Sequence, residues 1–537
     1  MESNIIIHGA RDDAGSSLYV NRINSFPDHL RLHYILSLNG LRVFAFHDRI
    51  SLLPDDLLHR ILSFLSTQDA IRTSVLSRRW QRVWIDLPTF MFSDDKRTAA
   101  GFATSVDEVL AHSHGMDKLE ISIRHPSHFA RANEWLQHAS DRVREKISII
   151  FRYDAENTVA GHDCDPVVLD LPCGGRTTAM AFHSRPTGVV ALVIPHASAA
   201  VPSSLTQLEL KYLRIDVNSL SIFVSSCCPR LRKLVVHSFG DEGVLRLSND
   251  ALEDLDLDFY YGGLRRLEVS SCNLRHLRIS EIFSPEVMAH EVHDGTKAAS
   301  FRTPRLEVLS WTPSTSIHPS RVEFAHSLAT VRQLDVGLAT HFMVNRTRLH
   351  YNKLAVWLLQ RCTGVRRLKV SLGNLHPSPI FVSGVLDEAS LSQYQDLMVE
   401  VPQLTTVTDL TVCTLLDHHA YGASIAKLLS RCSHVETLAV IVRDKYEHRY
   451  ICARTSACWC KCPADWREEK LRLEFLRQVD LKGFITADWL PDLVSLLRYS
   501  RPPAIITAHN IHERYELSDA STLQILQHQK RRMLVAY

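Results

Sequence analysis

The sequence predicts an α/β solenoid preceded by a short all-helical unit. Three observations predict it. A leucine phrase with strand periodicity recurs through residues 201–455, a longer helix–turn–strand phrase occurs twice, and about forty residues near the front carry helical spacing instead.

The front stretch runs from Asp48 to Leu87. Pro54 suits the first position of a helix, where its missing N–H costs nothing, and Asp55 and Asp56 follow where the helix dipole favours negative charge. Leu57, Leu58, Ile61, Leu62 and Leu65 recur at helical spacing and make a broad apolar face. Ser66 or Thr67 can cap a second helix with Asp69 in its first turn and Ala70, Ile71, Val75 and Leu76 as its apolar positions. Ser77-Arg78-Arg79-Trp80 with Trp84 reads as a third short helix, and Pro88 closes the unit. A unit of this size is marginal alone, and its apolar face is wider than its own core requires. It is expected to need a partner.

Beyond it the periodicity changes to apolar-x-x-apolar-x-apolar, the pattern of a half-buried strand in a repeat protein. Eleven such segments lie between Leu205 and Leu481, beginning at Leu205, Leu231, Leu252, Leu264, Leu274, Leu306, Val331, Val365, Val407, Val435 and Leu476. Spacing alone arises by chance, but the intervening pairs are mostly polar, as in Arg232-Lys233, Glu253-Asp254, Arg265-Arg266 and Arg366-Arg367. A longer phrase also repeats: Leu358-Leu359-Gln-Arg361-Cys362-Thr-Gly-Val365-Arg-Arg-Leu368-Lys-Val370 matches the run from Leu428 through Arg431, Cys432, Val435 and Leu438 to Val440 at seven of thirteen positions. Cys228 before Leu231 repeats its second half. A helix ending before a Cys, then a turn, then a strand is one layer of a solenoid, with the small apolar Cys filling the corner. Strand-to-strand spacing from 10 to 42 residues makes the layers irregular.

Residues 89–200 read as the opening strands and helices of the same stack, with strands at Leu119-Ile121-Ile123, Ile147-Ile149 and Leu192-Ile194 and a helix near Arg131 to Ala139. From Leu490 to Tyr537 no clear repeat survives.

The chain has 537 residues, several times a typical domain of about 150. Its 61 basic and 59 acidic residues leave +2, so no global field recruits nucleic acid or an acidic membrane. No run of 18 apolar residues offers a membrane helix, and the first residues lack the basic and long apolar regions of a signal peptide. Twelve cysteines are too sparse for a disulfide scaffold and are expected as reduced thiols, leaving the Asn345-Arg346-Thr347 sequon without meaning. The expectation is an intracellular protein of the nucleus or cytoplasm.

The run Asp48-Arg49-Ile50-Ser51-Leu52-Leu53-Pro54-Asp55-Asp56-Leu57-Leu58-His59-Arg60-Ile61-Leu62-Ser63-Phe64-Leu65, with Thr73-Ser74-Val75-Leu76-Ser77-Arg78-Arg79-Trp80, resembles a plant F-box. The leucine-rich layers after it, and Cys458-Trp459-Cys460-Lys461-Cys462-Pro463 to Trp466 leading to Leu473, Leu476, Val479 and Gly483-Phe484, resemble the F-box, leucine-rich-repeat and FBD family of plants. In that family the last domain ends with a helix and a further strand. Pro491 to Tyr499 can supply the helix with Pro491 first, while Arg501-Pro502-Pro503 and the residues after them fit poorly.

The resemblance implies six segments: an N-terminal extension at 1–47, the F-box at 48–88, opening layers at 89–200, irregular leucine-rich repeats at 201–455, an FBD-like segment at 456–500 and a tail at 501–537. It implies a non-catalytic receptor of a cullin–RING ubiquitin ligase, whose F-box docks on a small Skp-type adaptor and through it a cullin. The repeats recruit a protein substrate for ubiquitin-dependent degradation. Carried over, Leu53 and Pro54 open the adaptor contact, Leu57, Leu58 and Ile61 continue it, and Leu76 and Trp80 pack behind it. A leucine-rich-repeat scaffold acting without ubiquitin transfer is the alternative. Residues 21–38 parallel the first F-box helix as a partial copy that lacks a counterpart of Thr73 to Trp80, and it is not expected to fold or dock.

Other clusters receive the plainer reading. Cys452, Cys458, Cys460 and Cys462 include a C-x-C-x-C run without the paired C-x-x-C spacing of a zinc site, so they read as loop thiols. His162-Asp163-Cys164-Asp165 and His112-Ser113-His114 lie beside no nucleophile elbow or metal helix and read as solvated loop. Lys530-Arg531-Arg532 is shorter than a nuclear address and reads as a solvated tail. No phosphate-cradling glycine loop occurs, so no cofactor, metal, nucleic acid, membrane or catalytic residue is expected.

Overall fold

The computed structural model describes residues 50, 53–94, 101–113, 115–152, 167–172, 175–185, 190–195, 204–239, 243–260, 264–280, 297–312, 317–339, 341–343, 352–373, 394–415, 421–443, 471, 473–483, 490–497, 504–509 and 514–516. The partial copy at 21–38, the Cys452–Cys462 cluster, His162 to Asp165, Asn345 and the basic run at Lys530 lie outside the described residues. The chain divides into two units, residues 1–84 and 85–537.

In the first unit, helix α1 (Asp55–Leu62) starts directly after Pro54, and helix α2 (Thr67–Arg72) is capped by Ser66, whose Oγ accepts the N–H of Asp69 at 3.2 Å. Capping needs a short polar side chain because the first helical N–H groups lack partners within the helix. A single turn at Thr73–Val75 leads to helix α3 (Trp80–Val83), shorter than the stretch expected from Ser77 to Trp84.

The second unit is an α/β structure built on an 18-stranded sheet that closes into no barrel among the described residues. Its strands pair in parallel and nearly in chain order: Thr89–Ser93, Met116–Ile123, Val143–Phe151, Ala179–His183, Gln207–Ile215, Lys233–Phe239, Asp254–Tyr260, His276–Ser280, Val308–Thr312, Gln333–Ala339, Arg367–Gly373, Asp409–Leu415, Thr437–Arg443, Gln478–Gly483 and Ile505–His509. Pro88, expected to close the helical unit, instead opens this ladder: its carbonyl accepts the N–H groups of Asp117 and Lys118 at 2.8 and 2.9 Å.

The leucine phrase sets the register. Leu208, Leu234, Leu255, Leu277, Leu309, Leu334, Leu368, Leu410 and Leu438 are direct neighbours across the ladder, and each is essentially buried. Period-two alternation forces this outcome, since a slip of one residue would turn every leucine to the other face. Three residues before five of the phrases the chain turns a corner, where the carbonyl of Cys228, Asn249, Leu328, Cys362 or Leu473 accepts the N–H three residues on, at 3.1–3.3 Å. Every one of these corner side chains is buried.

One segment departs from the expected stack. Leu264-Leu267-Val269 belongs to a separate four-stranded sheet, where Arg266–Ser270 pairs with Val244–Ser248 and Ala298–Arg302, followed by Val322–Phe324. The short 10-residue spacing marks two strands of one layer, one in each sheet. The sheets meet where the Phe301 ring stands edge-on to Trp311, centroids 5.8 Å apart. Other layers back the ladder with helices instead: α4 (Phe102–His112), α5 (Ala132–Ser140), α6 (Val217–Ile222), α7 (Lys353–Arg361), α8 (Gly422–Ser430) and α9 (Leu490–Leu497).

The end of the chain is a second correction. The expected helix begins at Leu490, one residue before Pro491, and Ile505–His509 then adds a strand in register, with Ile506 beside Val479 and Ala508 beside Leu481. An antiparallel strand, Arg514–Glu516, comes next. The leucine phrase is absent from this layer, because its inward positions are Ile506 and Ala508 while Ile505 is 66% exposed.

Candidate functional site

In the first unit, α1 carries two apolar stripes. Leu58 and Leu62, one turn apart, face the interior, while Leu57 and Ile61 form a second stripe exposed to water that Leu65, exposed in the turn after the helix, continues in sequence. Phe64 is 82% and Val75 74% exposed, and Leu76 is exposed beside it. An amphipathic helix normally spends one stripe on its core and leaves the rest polar. Here the second stripe has no cover within the described unit.

The third helix holds the start of this surface in place. Arg79 donates from Nε and Nη2 to Asp55 Oδ1, at 3.0 and 2.5 Å, and from Nη2 to the carbonyl of Leu53. One guanidinium thereby fixes both Leu53 and the first turn of α1, as a planar fork with several donors can.

The expected docking residues divide accordingly. Pro54, Leu57, Ile61 and Leu76 lie exposed and Leu53 half-buried, available to a partner. Leu58 and Trp80, by contrast, are 0% and 5% exposed. The placement of Leu58 in the direct contact is corrected: it is an interior residue, because a helix turned to seal its own core puts one of two adjacent leucines inside. Trp80, expected to pack behind the contact, is buried. Leu76, expected behind it, is on the surface. Phe64 and Val75 are the residues that the motif does not single out, although Ile61, Phe64 and Leu65 at i, i+3 and i+4 carry the signal.

The second unit has its own electrostatic features. Glu209 lies 3.5 Å from His183, 3.1 Å from Lys233 and 3.7 Å from Lys211. His183 and the two ammonium groups hold its carboxyl well below the ordinary carboxylate range, outweighing the burial that would raise it. Cys228, Cys362 and Cys432 have thiols pushed up to about 12 by burial, with Cys227 adding to the effect at Cys228. They are protonated packing groups at neutral pH and not nucleophiles. Among the described residues no group of three His, Cys, Asp or Glu side chains could hold a metal ion. His112 belongs to α4, where its ring bonds the Glu108 carbonyl at 2.9 Å.

Residues 50–91, which contain the exposed stripe, match the F-box domain family. An F-box/FBD/LRR-repeat protein of Arabidopsis thaliana is 24% identical over 441 residues, covering 74% of this chain and 93% of the relative. The chain thus carries an F-box and is similar over most of its length to a plant F-box/FBD/LRR-repeat protein. An Arabidopsis F-box/LRR-repeat protein is 30% identical over 210 residues, 37% of this chain and 40% of the relative. A putative FBD-associated F-box protein of the same plant is 55% identical over 56 residues, 10% of this chain and 13% of the relative. Gly483, expected as part of the C-terminal segment, is needed by the backbone: its φ of +87° is costly for other residues, and a Cβ there would collide with the Val442 carbonyl of the neighbouring strand.

Proposed function

We propose that this chain is the non-catalytic substrate receptor of an SCF-type, cullin–RING E3 ubiquitin ligase. The F-box docks on a Skp-type adaptor, and through it a cullin, by way of Leu53, Pro54, Leu57, Ile61 and Leu76, extended by Phe64 and Val75. Leu58 and Trp80 support that surface from within. The parallel ladder is an irregular leucine-rich-repeat solenoid with an FBD-like cap, and it holds the protein target. The chain supplies no chemistry of its own. It holds target and loaded ubiquitin in one complex, where effective concentrations reach the order of millimolar. Such a ligase works inside the cell, in nucleus or cytoplasm.

The observation that supports this reading most is the uncovered apolar stripe within the F-box match. Each large aliphatic group taken fully out of water contributes about 1.5–3 kcal/mol, less for those already half covered, and a few such anchors dominate an interface. The test uses the purified full chain and a Skp-type adaptor in isothermal titration, with cullin co-purification alongside. Ile61→Ala with Phe64→Ala is expected to weaken adaptor binding at least about tenfold with the melting temperature unchanged. Undiminished binding overturns the docking surface, and adaptor binding that never brings a cullin points instead to a scaffold.

A further inference from the structure

We propose that Arg332 and Arg366, with Arg367 beside them, bind a phosphorylated serine or threonine of the target protein. The proposal deepens the receptor reading and rests on it.

The residue that precedes each ladder strand forms a row, because its N–H donates to the carbonyl of its equivalent one layer earlier. Glu253 donates to Arg232, Arg275 to Glu253, Glu307 to Arg275, Arg332 to Glu307 and Arg366 to Arg332, at 2.8–3.0 Å. Charge alternates along this row, and neighbours pair: Arg232 with Glu253 at 3.8 Å and Arg275 with Glu307 at 3.2 Å. The alternation stops at Arg366. Glu307 is engaged by Arg275, so Arg332 is left with one bond, from Nη1 to the Gly364 carbonyl at 3.4 Å. Among the described residues neither the Arg366 nor the Arg367 guanidinium has a hydrogen bond or ion pair, and all three arginines are exposed. Asp409, opposite Arg367 in register, accepts instead from the Thr408 and Thr437 hydroxyls at 2.7 and 2.6 Å. Lys369, the next outward cation on this strand, is neutralised by Asp335 at 2.5 Å.

Like charges side by side on adjacent strands destabilise a sheet. The same row position accepts Glu at 253 and 307, so packing does not require arginine at 366. Arg332 is also held in place: a Cβ at Gly364 would collide with the Ala329 carbonyl and approach Arg332 Nη1 to 3.0 Å. A bare glycine there leaves room for the guanidinium against the backbone.

The spacing selects the occupant. Adjacent strands lie about 4.8 Å apart, which sets two guanidinium forks around one compact anion. A phosphate monoester carries about −1.5 to −2 charge and three acceptor oxygens, and arginine forks match it bidentately. Carboxylates on one side of an extended acidic segment recur only every ~6.8 Å, with a single charge each. Nucleic acid needs a longer basic track and aromatic platforms. This row has Glu307 before it and Thr408 after it, and the residues from 331 to 333 and 365 to 369 include no aromatic side chain.

The test immobilises the full chain and offers peptide pools with randomised flanks and a fixed centre of phosphoserine or phosphothreonine, of serine, or of paired glutamates, beside a 20-nucleotide oligouridine RNA. The phosphorylated pool is expected to be retained at least about tenfold over the others. Arg332→Gln with Arg366→Gln removes that preference, while the control Arg232→Gln with Arg275→Gln keeps it. Arg366→Glu, which restores the alternation, removes the preference without lowering the melting temperature. Equal retention of phosphorylated and serine pools overturns the site, as does stronger retention of the acidic pool or the RNA. A control pair as damaging as the arginine pair, or an unfolded Arg366→Glu, overturns it too. Adaptor binding is measured on the same preparations: intact adaptor binding without phosphopeptide preference discards this site alone, whereas lost adaptor binding discards the receptor reading.

Discussion

The F-box and the strand ladder use the same aliphatic residues and treat them in opposite ways. Of fourteen large apolar side chains exposed among the described residues, seven lie between Ile50 and Leu76, and the other seven are spread over the far longer second unit. In the ladder a leucine such as Leu368 has Leu334 on one side and Leu410 on the other, so the chain itself covers what it exposes. In the F-box the apolar surface at Leu57, Ile61 and Leu65 has no equivalent layer to lie against among the described residues. Apolar spacing alone therefore does not tell a core from a docking surface. Repetition does, because only a repeated phrase supplies its own neighbours.

The largest expected effect tests that contrast directly. Leu368→Ala removes a buried side chain between two layers and is expected to cost about 2–5 kcal/mol in urea denaturation of the second unit. Val75→Ser, on the exposed stripe, is expected to stay within about 0.5 kcal/mol while weakening adaptor binding. Equal losses of stability at the two sites would erase the distinction. A second, chemical contrast lies in the thiols. Cys228, Cys362 and Cys432, pushed up to about 12, should resist iodoacetamide at pH 8 in the folded chain and react on unfolding, as mass spectrometry of labelled peptides would show.

The smallest effect sharpens the ladder's electrostatics. Glu209 is held below its ordinary 4.5 in the folded state. Its contribution is therefore complete above that value and is lost as pH falls below it. Glu209→Gln should flatten the fall in stability between about pH 5 and pH 3, measured by denaturation at each pH. A parallel fall in both proteins would remove Glu209 from the account.

The strand ladder was legible because its signal is additive: each phrase is weak, but in-register strands demand the same pattern repeatedly. The corner cysteines were legible for the same reason, and the structure widens that position to Asn249, Leu328 and Leu473. Asn249 shows why. Its side chain fills the corner by donating to the carbonyls of Val224 and Cys228, at 3.0 and 2.8 Å, a solution that a search for apolar residues overlooks. The segment at Leu264 had the right phrase and the wrong sheet, because periodicity reports that a strand has a buried face but not which strand lies beside it. Ile505–His509 had the right neighbours and too weak a phrase to be seen.

By itself the sequence determined that a helical unit with surplus apolar surface precedes a repeating parallel ladder, since helical and strand periodicities are properties of the chain's own spacing. Only the tertiary structure decided that Leu58 and Trp80 face inward while Phe64 and Val75 face out. It alone also showed that Arg332 and Arg366, thirty-four residues apart in the chain, stand side by side with no ion pair among the described residues. Both outcomes depend on which surfaces meet, and that is settled by packing between elements, not by the pattern within any one of them.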